Sequence, residues 1–176
     1  MNSAITGRRV RLRRATLGDA DLLELWHTVE YMGEFNDFGM GWPPVRKAIQ
    51  ETGLVGENGG TMIVESAASG EPIGTVSWRT VRYGPNPESA AWNIGISLIP
   101  EARGHGFGTE AQRVLADHLF ETTPVNRVEA MTDIDNVVEQ RALEKAGFAR
   151  EGVLRGSQYR ARDWHDLVVF ARVRGG

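Results

Sequence analysis

Three glycines at alternate positions, in Arg103-Gly104-His105-Gly106-Phe107-Gly108-Thr109, stand between a run with strand alternation and a run with helical periodicity. No other stretch constrains the chain so tightly, because this loop must deliver a strand end onto a helix start. On the strand side, Ala91 to Ile99 places Trp92, Ile94, Ile96 and Leu98 on one face and Asn93, Gly95 and Ser97 on the other. On the helix side, Phe107 to Glu121 carries Ala111, Val114, Leu115 and Leu119 on one stripe, with Glu110, Arg113, Asp117 and Glu121 opposite. The first N–H groups of a helix have no intrahelical partner, and the helix dipole favours an anion there. Arg103 would add a charge-assisted bond to that anion. Neither common phosphate signature fits: no Gly-Lys-Ser/Thr follows, and the dinucleotide fingerprint needs a glycine where Thr109 stands. On the glycines alone, a flexible connection remains an equal alternative.

The chain has 176 residues, 41% of them hydrophobic, which suits one domain spanning residues 1–176 with a sizeable core. It contains no cysteine, so disulfides, thiolate metal sites and a cysteine nucleophile are excluded, and no metal site is expected. Arg8, Arg9, Arg11 and Arg13 have no apolar run behind them, and no segment approaches the ~18 apolar residues of a membrane span. A cytoplasmic protein without membrane contact is the expectation. A net charge of -3 argues against direct nucleic-acid binding.

Taken in order, Arg9 to Arg13 alternates as a half-buried strand whose arginines form a solvated face. Thr16 and Asp19 mark a helix start, with Leu22, Leu25, Trp26 and Val29 at helical spacing. Tyr31 to Pro44 reads as a loop rich in aromatics and carboxylates, either a binding lid or a cluster packed under the loop. A helix over Val45 to Thr52 follows, then a hairpin of Thr61 to Glu65 with Pro72 to Val81, bulged at Gly74. After the central helix come a strand over Arg127 to Asp133 and a helix opened by Asn136 and Glu139 and stopped by Gly147. Strands over Phe148 to Leu154 and Trp164 to Val173 close the chain.

From Pro100 through Thr109, and from Asn136 through Glu144-Lys145-Ala146-Gly147-Phe148, the sequence resembles the GNAT superfamily of acyl-CoA-dependent N-acyltransferases. Glu151-Gly152-x-Leu154-Arg155 and His165-Asp166 resemble the branch containing the RimJ and RimL ribosomal-protein N-terminal acetyltransferases. The resemblance implies an α/β (α+β) fold: a mixed, twisted, mostly antiparallel sheet splayed into a V and flanked by helices. It also implies acetyl-CoA as cofactor, bound by Leu98, Ile99, Arg103, Gly104, His105, Gly106, Phe107, Gly108, Thr109, Asn136, Arg141 and Lys145. For Asn136 a helix cap alone is the competing reading, and for Arg141 and Lys145 simple solvation. Trp26, Tyr31, Asp37, Trp42 and Gln158 would line the acceptor side. Partners are then acyl-CoA and an amine acceptor, with homodimerisation left open.

The chemistry needs a neutral amine, stabilisation of an oxyanion and a proton for the departing thiolate; a backbone N–H between Ser97 and Ile99 suits the second task. Related proteins place a tyrosine where Leu143 stands, a glutamate at Met131, a serine at Glu139 and a further glutamate at Gln158. With these groups absent, the candidates are Glu139, Asp37, Glu34, His27 and His165, or a water chain held by Asn93 and Ser97, which is preferred. Glu139 has a structural role available as the third residue of a capping box with Asn136, and His165 as a hydrogen-bonded structural histidine beside Asp166. The acceptor is a primary amine: a protein or peptide N-terminus, a polyamine or an amino-sugar antibiotic. A noncatalytic acyl-CoA-binding module of the same fold is the alternative.

Overall fold

The computed structural model describes residues 4–39 and 44–175. Its strands are β1 (Ile5–Thr6), β2 (Val10–Arg13), β3 (Val55–Gly56), β4 (Gly59–Ser66), β5 (Pro72–Arg82), β6 (Ala90–Leu98), β7 (Arg127–Asp133), β8 (Ala149–Arg160) and β9 (Asp163–Val173). Its helices are α1 (Ala20–Trp26), α2 (Val29–Met32), α3 (Val45–Thr52), α4 (Phe107–Thr122) and α5 (Val137–Lys145). The strands form one sheet in the order β1-β2-β4-β5-β6-β7-β9-β8, with β3 beside β4. Among the described pairings only β6 and β7 run parallel, and they pair only from Trp92 to Ile94 against Val128 to Ala130. Beyond Ile94 the strands part, and this parting is the V of the expected fold.

The alternation of β6 explains how the sheet is covered. Trp92 and Ile94 are buried in the main core with Leu115, Leu119, Val128 and Phe170, so α4 lies across this face. A second cluster under α1 and α3 contains Leu23, Trp26, Val45, Ile49 and Ile63. The Gly74 bulge is present: the β4–β5 register shifts between Val64 and Glu65, opposite Gly74.

Several expectations need correction. The helix begun at Thr16 stops at Trp26, so Val29 opens α2 instead, and Leu25 faces solvent at 46% exposure. Strand β8 continues past Leu154 to Arg160, where a tight turn at Ala161 and Arg162 joins it to β9. The arginines of β2 lie on the exposed face as expected, with Val10 and Leu12 buried behind them, but they are also paired: Arg11 and Arg13 both bind Glu65, and Arg13 forks onto Asp19 at 2.7 Å per bond. Glu110 is buried, not solvent-facing, because its carboxylate accepts the backbone N–H groups of Arg8 and Arg9.

Asp19 also accepts the N–H and hydroxyl of Thr16, completing the predicted cap. The Arg13 guanidinium, with this help, lowers the Asp19 carboxyl to about 2. A carboxyl depressed in the folded state adds stability above its unfolded value and loses it as pH falls through the folded value. Thermal unfolding of the native protein is therefore expected to lose stability between about pH 4 and pH 2. Asp19→Asn flattens that portion of the curve; an unchanged profile would remove Asp19 from the account.

Candidate active site

Both arms of the V contribute to a cleft of about 1640 Å³. The backbone of β6 is directed by the close approach of β5: an added Cβ at Gly74 would strike the Ser97 carbonyl, and Ile99 N–H donates to Ile73 O at 3.0 Å. Successive residues of a strand present their polar groups to opposite edges. Ser97 and Ile99 are thus committed to β5, while Ile96 and Leu98 turn theirs toward the gap that β7 leaves open. Ile96 was missed by the sequence reading, although strand parity would have found it.

The cleft ends at the glycine loop. Gly104 and Gly106 have φ of 78° and 79°, a conformation that side chains resist. Behind the loop, Arg9 Nη1 donates to His105 O at 2.9 Å, while Glu110 ties the same chain segment to α4. No side chain caps α4, and its first backbone bond runs from Glu110 N to Gly106 O, so Phe107, Gly108 and Thr109 keep N–H groups without helical partners. Gly104, Gly106, Gly108, Thr109, Leu98, Arg103, Asn136, Arg141 and Lys145 all line the cleft. Ile99, His105 and Phe107 do not; Phe107 packs on the core with the His105 ring 6.2 Å away. Arg103 departs from expectation: its Nε donates to Leu98 O at 3.0 Å and its Nη2 to Tyr31 O, so two of its three nitrogens serve protein carbonyls instead of an anion.

Across the gap, Asn136 caps α5 by accepting the N–H of Glu139 at 3.3 Å. The capping box is incomplete, because Asn136 N–H donates to Asp133 O and not to the Glu139 carboxylate. Glu139 instead lines the cleft, where burial raises its carboxyl to about 7 against a hydrogen bond from Gln112. Gln112 is 1% exposed, donates to Gly108 O at 3.2 Å, and keeps an unpartnered Oε1. Leu143, in place of the familiar tyrosine, is fully buried in the core. Met131 and Gln158 line the cleft, as do Ser97 and Asn93. Asn93, however, turns its amide onto Glu129 at 3.4 Å, and that fully buried carboxylate also takes Tyr83 and Arg127.

On the acceptor side, Trp26 belongs to the second apolar cluster at 7% exposure and Tyr31 packs against it; neither lines the cleft. Asp37 accepts the Gly39 N–H at 3.0 Å, and Trp42 lies outside the described residues. The lining from this segment is instead Met32, Gly33, Glu34, Phe35, Asn36 and Phe38. Arg160 and Asp133 were not anticipated. They form a buried ion pair, 5% and 2% exposed at the side chain, and Arg160 Nη1 donates to Glu34 O at 2.7 Å. His165 joins this pair, with Nδ1 3.2 Å from Asp133, whereas Asp166 accepts the Gly156 N–H.

An open strand edge that runs into an uncapped helix N-terminus offers a seat for an extended ligand with an anionic group at one end. Residues 9–149 match the acetyltransferase (GNAT) domain, and the chain belongs to that family of acetyl-transferring enzymes, whose cofactor is acetyl-CoA. The chain is similar to the uncharacterized N-acetyltransferase p20 of Bacillus licheniformis, 28% identical and covering 94% of this chain and 93% of the relative. It is also 34% identical to the probable N-acetyltransferase YjcK of Bacillus subtilis, over 60% of this chain and 57% of the relative. Among solved structures, RimL, a ribosomal L7/L12 alpha-N-protein acetyltransferase in complex with coenzyme A, superposes with a TM-score of 0.79. That likeness, of fold, covers 97% of this chain and 98% of RimL at 20% identity. No helix among the described residues is long and apolar enough to cross a membrane.

Proposed function

We propose that the protein transfers an acetyl group from acetyl-CoA directly to a primary amine while both occupy the cleft. The observation that carries this reading is the free edge of Ile96 and Leu98, which runs from the open V into the glycine loop. The cleft is larger than the ~300–1,000 Å³ of an ordinary ligand pocket, so it suits two reactants side by side. Acetyl-CoA supplies an acetyl group already activated as a thioester, and no enzyme nucleophile is required.

Cofactor binding, oxyanion stabilisation and removal of the amine proton each have a residue. The thiolate expelled as the amide forms takes its proton from water in the open cleft and leaves as the thiol of coenzyme A. Ile96 and Leu98 pair with the amide-bearing arm, and the N–H groups of Gly108 and Thr109 meet the pyrophosphate. Arg141 and Lys145, exposed on α5 at the rim, face the phosphorylated adenosine end. Leu98 N–H is the donor for the oxygen that gathers negative charge as the amine attacks. Glu139, ionised about half the time near neutrality, takes the amine proton directly or through water held near Ser97. Glu34, Phe35 and Phe38 offer a carboxylate and aromatic faces to a cationic acceptor, and Gln158, joined to Glu34 and Phe35 through Arg160, belongs to the same lining. The N-terminal amine of a protein is the first acceptor to test, since RimL, which shares the fold, is an alpha-N-protein acetyltransferase.

Release of free thiol from acetyl-CoA, followed with short peptides bearing free N-termini, spermidine and an amino sugar, tests the reading. At least one amine is expected to accelerate release above the hydrolytic background, with an acetylated product of matching mass. Cofactor binding without acceleration by any class would set the transfer reading aside in favour of a binding module.

A further inference from the structure

The segment from Tyr31 to Phe35 is suspended across the mouth of the V by two guanidinium groups from opposite arms. On the β6 arm, Arg103 Nη2 donates to Tyr31 O while Nε holds Leu98 O at 3.0 Å. On the β7 arm, Arg160 Nη1 donates to Glu34 O at 2.7 Å, its Cζ sits 5.4 Å from the Phe35 ring centroid, and its Nη2 holds Asp133. Between the two anchors lies Gly33, with φ of 74°; a Cβ there would stand 3.6 Å from Arg103 Nη1. The anchors differ in kind. Arg160 is 5% exposed and locked to Asp133, Gln158 and Glu34, whereas Arg103 lines the cleft and has one nitrogen outside these bonds.

We infer that Arg103 is a positioning residue that couples the two substrate sites, fixing the Tyr31–Phe35 wall when the cofactor arm seats against Leu98. The inference rests on the cofactor placement argued above. Leu98 presents its N–H and C=O to the gap, and its carbonyl already accepts Arg103 Nε. A carbonyl oxygen has two acceptor sites, so an arm pairing with Leu98 leaves the Arg103 bond in place and immobilises the peptide that carries it. The ordering lost by Leu98 and Arg103 is then met once, by the cofactor, and an acceptor that needs the wall in place meets less of it. Such coupling is reciprocal and typically changes affinity ~5- to 150-fold. The guanidinium geometry matters: a fork reaches two carbonyls on different elements, and an ammonium is a single point of donation.

Amide hydrogen exchange of residues 31–36, with and without saturating coenzyme A, tests the inference, and calorimetry reports coenzyme A binding separately. In the native protein, coenzyme A is expected to slow exchange of this segment at least about fivefold, the lower end of typical coupling. Arg103→Lys is expected to bind coenzyme A yet leave the segment equally fast in both states. Arg103→Gln, which keeps a single amide donor, serves as the second variant if the first loses cooperative unfolding, with the same expected loss of response. Binding of coenzyme A that leaves segment 31–36 unchanged in the native protein, or protects it equally in the variants, overturns the coupling. Failure of the native protein to bind coenzyme A overturns the cofactor placement itself, and the coupling with it.

Discussion

Glu139→Gln is expected to lower kcat by about a hundredfold or more, the usual contribution of a positioned proton-transfer group. The carboxyl projects into the cleft from the first turn of α5, and burial raises it to about 7. Its basic form therefore accumulates as pH rises through that value, and the native kcat is expected to climb across pH 6–8 in a limb that the glutamine variant lacks. An α-amino acceptor titrates nearby, at about 7.7–8.0, so the limb alone does not identify its owner. The variant does: if the limb persists with its full amplitude, it belongs to the amine, and proton removal runs through water without Glu139. The same group makes a stability prediction with the opposite sense to Asp19. A carboxyl raised in the folded state binds its proton more tightly there, so its contribution is present below the unfolded value and is lost as pH rises from about 4.5 toward 7. Glu139→Gln should thus unfold at a higher temperature than the native protein at pH 8 while losing activity, the trade-off of a site that keeps a carboxylate away from water.

Local pattern was enough for the elements whose two faces differ in polarity. Helix α3 and strand β7 fall where periodicity put them, and the alternation of β6 identified its core residues Trp92 and Ile94. The glycine loop was readable because φ near +78° and an uncapped helix start leave recognisable residues behind. What stayed illegible depends on partners distant in sequence. Glu110 looks like any surface acid of a helix until Arg8 and Arg9, about a hundred positions away, bring their backbone N–H groups to it. Arg160 follows an exposed stretch of β8 with no apolar alternation to extend the strand, and only folding sets Asp133 and Glu34 around it. Trp26 shows the converse: an aromatic residue near an acceptor loop is placed by the core that needs it, here the cluster with Leu23 and Ile63. Glu139 has the sequence spacing of a capping residue, yet the Asn136 N–H is already taken by Asp133 O, which frees the carboxylate for the cleft.

Gly74→Ala is expected to be strongly destabilising. Gly74 has φ of 155°, and an added Cβ would lie 2.8 Å from Leu98 Cδ2 and 2.9 Å from Leu98 Cα, with the Ser97 carbonyl closer still. Two of these three obstacles are backbone atoms of β6, so no rotamer change relieves them. Backbone strain of this sort costs ~1–3 kcal/mol and forced overpacking a further ~1–3 kcal/mol, which together suggest a loss of about 3 kcal/mol or more. For a chain of this length that corresponds to a fall in Tm of roughly 6–12 °C. Gly70→Ala is the matching control: its φ is 75°, but an added Cβ there meets nothing within 4 Å, so it bears the strain without the collision. Equal shifts in the two variants would mean that β5 and β6 separate easily at this point. If the collision dominates, Gly74→Ala must also push Ser97 and Leu98 away from β5, and because the free edge of Leu98 is the seat argued for the cofactor arm, coenzyme A affinity is expected to fall at temperatures where the variant is still folded. The bulge at Gly74 thereby does two things at once: it lets β5 approach closely enough to commit Ser97 and Ile99, and by that commitment it turns Ile96 and Leu98 toward the opening.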